Sequence, residues 1–421
     1  MDLTSKPPAS GGDAAASKVP QLGVDAAYIH IPFCARRCGY CNFTVVAGRD
    51  DLAPAVTAAI VHEIEHWRAT EASDASAPHL STIFFGGGTP SRLSAKHLGE
   101  ILEAVHRVAN VAASAEITLE TNPEDVTPEN VRRWTDMGFN RFSLGVQSFR
   151  AEKLRFLDRE HRADEARNAV KRLSEAGGDV SVDLIFAAGN ETLSQWRGDL
   201  AAAVALPVVH VSTYGLTIEK GSSFFGRLHR GDLATVSHDV EADMFDATLQ
   251  DLGAAGFEHY EISNHARAGH RCQHNLRYWT ARPWLAAGPG AASFMPPRRE
   301  VRHRSVTRYL AKFREQASLI GESETLRAET LCDEAIAFGL RMLDGVSVDR
   351  ITARHHVPIQ RYATIRDRCL DEGLLQRIPQ SSTGQTEPEQ DNRAEERVRL
   401  SPLGIRMADV VSNRFLEIED D

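Results

Sequence analysis

Between residues 28 and 216, short apolar blocks alternate with stretches whose apolar positions recur every three or four residues. These are the periods of a buried strand and of an amphipathic helix. Tyr28 to Phe33 reads as a first strand closed by Pro32. Asp50 or Asp51 then caps a helix that buries Val56, Ile60, Ile64 and Trp67. Further strands are predicted over Leu80 to Phe85, Ala115 to Glu120, Arg141 to Gln147, Val180 to Phe186 and Val208 to Leu216. Thr127-Pro128-Glu129 opens one intervening helix with a capping hydroxyl and a proline in its first turn. Another ends near Gly177, and a third runs from about Leu193 to Ala203. Six strand–helix units of roughly 30 residues each match the repeat of an eight-unit barrel of about 250 residues. The count stops at six, so the prediction is an α/β chain whose first part, residues 23–216, is a partial (β/α)6 TIM-like barrel open on one side.

Residues 217–320 depart from the alternation and read as an extension of that barrel, and residues 321–421 form a mostly helical C-terminal domain. In the latter, Glu329 to Leu343 has helical periodicity, Asp344-Gly345 turns, and a last helix is expected from Pro402 to Leu416. Residues 1–22 are rich in Ser, Ala, Gly and Pro and read as a disordered tail. Residues 380–396 are too polar to pack and read as a mobile insertion. Of the 421 residues, 42% are hydrophobic and 25% charged, with a net charge of −10. That balance offers no basic field for nucleic acid or anionic lipid. No apolar run approaches the ~20 residues of a membrane span.

Six cysteines in so long a chain make no disulfide framework and fit a reducing, cytoplasmic setting. Three of them, Cys34, Cys38 and Cys41, crowd into the loop after the first strand. A closed zinc site asks for a fourth nitrogen or sulfur ligand, and Phe43 stands where a fourth cysteine would fit. A [4Fe-4S] cluster held by three thiolates instead leaves one iron open to an outside ligand. Gly86-Gly87-Gly88-Thr89-Pro90 follows the second strand, where glycines admit close backbone approach; a bare turn is the bland alternative. In such barrels functional groups gather at the C-terminal ends of strands. Glu120, Gln147, Tyr214 and Gly215 fall there, while Asp183 falls mid-strand. Four histidines, His259, His265, His270 and His274, lie close together near Tyr278 and Trp279. Imidazole ligates haem iron and aromatics pack on porphyrin faces, although a hydrogen-bonded structural histidine is the commoner fate. Cys272, Cys332 and Cys369 read as small buried apolar residues.

Cys-x3-Cys-x2-Cys with Tyr40 before the last cysteine resembles the signature of the radical S-adenosylmethionine (SAM) superfamily. The segments L-E-T-N-P (119–123), S-L-G-V-Q-S-F (143–149), L-D-R-E-H (157–161), V-D-L-I-F (182–186) and H-N-L-R-Y-W (274–279) resemble the branch that holds the haem chaperones and the oxygen-independent coproporphyrinogen III oxidases. The likeness implies a winged-helix-like C-terminal domain, a [4Fe-4S] cluster on Cys34, Cys38 and Cys41, and SAM on its open iron. It implies that Tyr28 and Tyr40 flank these groups and that Gly87, Gly88 and Thr89 meet the SAM amino group. Glu120, Gln147, Arg159 and Asp183 would then bind its methionyl and ribose parts, and Gly215 would line the adenosyl pocket. His274 would ligate haem. Two functions follow from the likeness. One is a haem chaperone that passes haem to acceptor proteins. The other is an oxidase in which a deoxyadenosyl radical starts decarboxylation of porphyrinogen propionates. Phe43, where the oxidases have a fourth cysteine, and the H-N-x-x-Y-W segment favour the chaperone. SAM cleavage on some other substrate is a third reading. Haem or another porphyrin, haem-accepting proteins and a homodimer are the implied partners.

Overall fold

The computed structural model describes residues 23–67, 77–378 and 396–418. The predicted tail and nearly all of the predicted insertion lie outside the described residues. The centre of the fold is one twelve-stranded sheet. Strands β1 (Ala26–Ile31), β4 (His79–Gly87), β5 (Asn110–Thr121), β6 (Arg141–Gln147), β7 (Asp179–Phe186) and β8 (His210–Gly215) lie side by side and parallel, each the strand of one predicted unit. Two minor strands, β2 (Phe33–Cys34) and β3 (Val46–Ala47), pair separately at the base of the cysteine loop. Helices Ala53–Glu65, Ala95–Val108, Pro128–Asp136, Ala163–Glu175 and Leu193–Val204 bring their apolar faces to the outer side of the strands and build the main core with them.

Local sequence explains most of the boundaries. Thr127 caps the helix at Pro128 as expected, its hydroxyl accepting the Asn130 N–H. Thr192 and Gln195 form a reciprocal capping box. The first helix departs from expectation. It is preceded by a short 3-10 turn over Asp50–Leu52, and neither aspartate caps it. Asp50 is held by Arg92 and Asp51 by Arg49, so both carboxylates are spent on guanidinium groups. The predicted last helix is broken at Met407 into Pro402–Arg406 and Ala408–Leu416.

The segment without strand–helix alternation completes the sheet at both edges. β9 (Glu258–Glu261) and β10 (Asn264–Ala266) form a hairpin whose second strand runs antiparallel to β8. At the other edge β11 (Trp284–Ala287) adds parallel to β1, followed by antiparallel β12 (Ala292–Met295), β13 (Arg298–Arg302) and β14 (Ile320–Thr325). The turn after β11 presses on β1: a Cβ at Gly288 (φ +105) would lie 2.3 Å from the His30 carbonyl oxygen. Glu63, buried on the first helix, fixes this turn. It accepts the Gly288 N–H at 3.0 Å and the Tyr309 hydroxyl at 2.8 Å, and pairs with Arg302.

A separate apolar cluster built on Ile336, Leu340, Tyr362, Leu400, Val411 and Phe415 organises the C-terminal part. It joins helices Ala328–Gly339, Val348–His355 and Gln360–Asp371 to a hairpin of β15 (Leu375–Ile378) and β16 (Arg397–Leu400), a helical unit with a two-stranded wing. Among the described residues no helix is long and apolar enough to cross a membrane.

Candidate functional site

The loop from Cys34 to Val46 leaves the C-terminal end of β1 and is clasped at its base, where Phe33 and Cys34 pair with Val46 and Ala47. Its far end is tied to the segment after β8, where the Phe224 N–H donates to the Gly39 carbonyl at 2.9 Å. Tyr40 packs edge-on against Phe224 with ring centroids 6.3 Å apart. Cys34, Cys38 and Cys41 are half-buried free thiols. The Thr89 hydroxyl donates to Cys34 Sγ at 3.7 Å, and Arg159 reaches Cys38 Sγ at 3.9 Å. Burial pushes Cys34 up to about 11, with Cys41 and Cys38 adding to the shift. Among the described residues no three Cys, His, Asp or Glu side chains stand close enough together to form a finished metal site. The three thiols are therefore gathered on one loop without being drawn to one point. As donors they fit a thiolate-bound iron–sulfur cluster: three sulfurs on one short loop, and no nitrogen ligand in the loop to complete a zinc tetrahedron.

Beside the loop lies an interior layer of buried polar groups. Glu120 ends β5 and accepts the Gly87 N–H at 2.9 Å. Burial, and then the charge of Asp183, lift it to about 8. Asp183, mid-strand in β7, accepts from the Ser143 hydroxyl at 3.0 Å, and burial moves it up to about 6 against the hydrogen bonds of Ser212 and Ser143. Its mid-strand position is no obstacle, because it faces the interior between serines of β6 and β8. Arg159 is half-buried without an ion pair among the described residues; its guanidinium donates to Asn122 Oδ1 at 2.7 Å and to the Gly145 carbonyl at 2.8 Å. Gln147 closes β6 in a left-handed conformation (φ +64), paired with Leu184 of β7 after a register shift that follows Leu144. Gly215 ends β8, where a Cβ would come 2.9 Å from Glu241. Tyr28 on β1 contacts His30 Nδ1 through its hydroxyl at 3.1 Å and stacks on Phe84.

The glycine run works differently from an open N–H nest. Gly88 N–H donates to the Ile31 carbonyl and Thr89 N–H to the Phe33 carbonyl, while Gly87 N–H is taken by Glu120. A Cβ on Gly88 would lie 2.7 Å from the Phe33 oxygen, so the glycine lets β4 pass against the root of the cysteine loop. An ammonium ligand seeks acceptors, and buried carboxylates beside a guanidinium supply the complement of an α-amino acid joined to a sugar.

His274 lies deeper along the barrel interior, its ring 6.4 Å from that of Tyr28. It sits at the start of the short helix Gln273–Trp279, which closes the opposite, N-terminal end of the barrel. There Glu116 accepts the N–H groups of Gln273 and His274, and Arg141 at the start of β6 donates to the His270 carbonyl. His274 is 1% exposed, with Nδ1 2.9 Å from the Thr82 hydroxyl and Nε2 2.8 Å from the Tyr278 hydroxyl. Burial, then Arg277, lowers it to about 3. Both ring nitrogens are thus engaged, so iron at this imidazole requires the Thr82 or the Tyr278 hydroxyl to give way. The other histidines of the group scatter: His270 meets Asp179, and His259 stacks on His265 at 4.5 Å. Sequence reasoning missed Asn122, Ser143, Ser212 and His30. The serines were findable as residues on the same strand face as Asp183, and Asn122 lay within the L-E-T-N-P segment.

The Radical SAM superfamily pattern matches residues 28–202. A haem chaperone HemW of Lactococcus lactis is 32% identical over 327 residues, covering 77% of this chain and 84% of that protein. HemW of Escherichia coli is 37% identical over 278 residues, 65% of this chain and 70% of that protein. The mitochondrial radical S-adenosyl methionine domain-containing protein 1 of Danio rerio is 33% identical over 346 residues, 79% and 76% of the two chains. Among solved structures, the radical SAM coproporphyrinogen III oxidase HemN of Escherichia coli superposes with a TM-score of 0.79, covering 95% of this chain and 92% of that one at 18% identity. That likeness is one of fold.

Proposed function

The chain belongs to the radical SAM superfamily and, within it, to the HemW family, and from that premise we propose that it is a haem chaperone which binds haem and hands it to acceptor proteins. Membership carries a [4Fe-4S] cluster and SAM. Cys34, Cys38 and Cys41 would hold the cluster, Glu120 and Asp183 the ammonium and ribose hydroxyls of SAM, and Arg159 its carboxylate, with Tyr28, Tyr40, Gln147 and Gly215 around them. The cluster supplies one electron to the sulfonium when both are bound. The protein's own part is to hold the cofactor dry and oriented: Arg159 is fixed by Asn122 and Gly145, and Asp183 by two serines.

The observation that favours the chaperone over the oxidase is Phe43. It takes the place of the fourth cysteine and stands 67% exposed on the cluster loop, so the loop supplies no fourth thiolate at that position. The test is direct. Anaerobically reconstituted protein is loaded with haem and mixed with the apo form of a haem protein, and transfer is followed by the Soret band. Transfer that exceeds release into buffer supports the reading. Conversion of coproporphyrinogen to protoporphyrinogen at an enzymatic rate, with SAM and reductant, overturns it in favour of the oxidase.

A further inference from the structure

At the C-terminal ends of β6 and β7 a lysine and two carboxylates are sealed from solvent. Lys153, on the short helix Ala151–Phe156, donates to Glu191 Oε1 at 2.5 Å and to Asp199 Oδ2 at 3.2 Å, and its ammonium lies 4.9 Å from the Trp196 ring. The three side chains are 2%, 1% and 0% exposed. Asp199 also accepts the Ser148 hydroxyl at 2.7 Å and the Phe149 N–H at 2.8 Å, and Glu191 accepts the Ala188 N–H at 3.2 Å. One network thus fixes the chain just after β6, just after β7 and on the helix between them. Backbone strain gathers in the same segments. Of the seven non-glycine residues with positive φ among the described residues, four lie here: Gln147 (+64), Asp158 (+55), Ala187 (+61) and Asn190 (+58). Such conformations persist where the surrounding structure over-determines them, and they collect at binding sites. Gln147 sits in a three-residue turn closed by the Ser148 N–H on the Val146 carbonyl at 2.7 Å. From Lys153 the chain is one helical turn from the next anchor: the Leu157 N–H donates to the Lys153 carbonyl and the Arg159 N–H to the Leu154 carbonyl, both at 2.9 Å. Arg159 and His161 then fold back onto β6 and donate to the Gly145 and Val146 carbonyls at 2.8 and 2.9 Å. The place of Lys153 therefore sets the place of Arg159.

We propose that Lys153, Glu191 and Asp199 are positioning residues for SAM, acting through Arg159 and Gln147. The inference rests on the placement of SAM against Arg159 and names what fixes that residue. Stability alone does not account for the network. A buried ion cluster replaced by apolar side chains of similar volume often leaves a protein as stable or more so, whereas removal of one member strands a charge. A cluster at the junction of two strained turns has another use. It keeps the guanidinium of Arg159 beside Cys38 and Asn122 before the ligand arrives, so that the carboxylate of SAM meets a partner already in place.

The test uses the full chain, anaerobically reconstituted, with iron and sulfide content as the measure of the cluster. SAM is titrated by calorimetry and by the change it causes in the electron paramagnetic resonance spectrum of the reduced cluster. The K153M/E191Q double variant removes the cation together with one carboxylate and leaves Asp199 its hydrogen bonds from Ser148 and Phe149. It is expected to keep wild-type iron and to lose about tenfold in SAM affinity, the effect of one misplaced charge-assisted contact. Decarboxylated SAM gives Arg159 nothing to bind, so the same variant is expected to change its affinity by less than about twofold. Val411→Ala, in the separate C-terminal cluster, is the control for general loosening: it lowers the urea midpoint and is expected to leave SAM affinity unchanged. Should the double variant fail to fold, Ser148→Ala frees the turn at Gln147 alone and is expected to weaken SAM about threefold with iron unchanged. SAM affinity unchanged in K153M/E191Q, or in Ser148→Ala where the double variant does not fold, overturns the proposal. A loss shared equally by decarboxylated SAM, or by Val411→Ala, overturns it too and leaves the network a purely structural one. Wild-type protein that carries its cluster and binds no SAM removes instead the placement of SAM on which the proposal rests.

Discussion

Replacing His274 by Ala separates a haem ligand from a structural pin. In the wild type the imidazole joins the Thr82 hydroxyl on β4 to the Tyr278 hydroxyl on the closing helix, and its ring stacks on Phe84 with centroids 5.0 Å apart. Removing it strands the buried Thr82 hydroxyl and the half-buried Tyr278 hydroxyl, each at about 1–3 kcal/mol, and opens a small cavity. The sum is about 3–5 kcal/mol, a large fraction of the 5–15 kcal/mol that holds a typical domain folded. Urea unfolding of the metal-free protein, followed by circular dichroism under reductant, reads that loss. His274→Gln returns a donor and an acceptor near the same place and is expected to recover part of it. Haem titration of either variant, kept cold enough to stay folded, is expected to match the wild type. A variant that is as stable as the wild type but binds no haem refutes this reasoning and makes the imidazole an iron ligand.

Acid should unfold the protein through its buried histidines. His274 is held near 3 and His161 near 4, both mainly by burial, against an ordinary value of about 6.5. Between those limits the unfolded chain binds more protons, so stability falls as pH drops, by about 1.4 kcal/mol per unit for each such histidine, measured as the urea midpoint against pH. Glu120 acts with the opposite sign. Lifted to about 8, it makes the folded apoprotein lose stability as pH rises from about 4.5 to 8, and Glu120→Gln should flatten that slope. Because a cation must displace its proton, SAM affinity of the reconstituted protein is expected to weaken up to about tenfold per pH unit below 8, with proton release visible by calorimetry in two buffers. A pH-independent affinity contradicts the assigned role of Glu120. Gly88→Ala pushes a Cβ to within 2.7 Å of the Phe33 carbonyl at the root of the cysteine loop, and should lower iron content after reconstitution by more than half. Retention of wild-type iron would show that the loop can yield.

The six parallel strands were legible because each is an apolar run bounded by turn residues, and β6 was placed to the residue. β5 begins earlier than predicted because its start, Asn110 to Ser114, is mostly exposed small residues, held by the pairing of Asn110 and Val111 with His79 and Leu80. The edge strands β9 to β14 were invisible for a similar reason. They are three to six residues long, and the two that join the main strands, β10 and β11, take partners far along the chain, as Trp284 does with Ala26. The cysteine loop and the residues around Glu120 and Asp183 could be read from spacing and from the strand ends. The hydrogen-bonding state of the glycine run could not, since it depends on how closely β4 passes Phe33. Nor could the place of His274, whose segment resembles a ligand motif yet folds against Thr82, 192 residues earlier.

The strand that flanks β1 on its free side, and the turn that bears on His30, come from residues 284–288. A ribosome adding about 5–20 residues per second reaches them roughly ten seconds to a minute after the thiols of Cys34 to Cys41 have emerged. For that interval the nascent chain shows three cysteines with no finished wall behind them, open to oxidants and to stray metal.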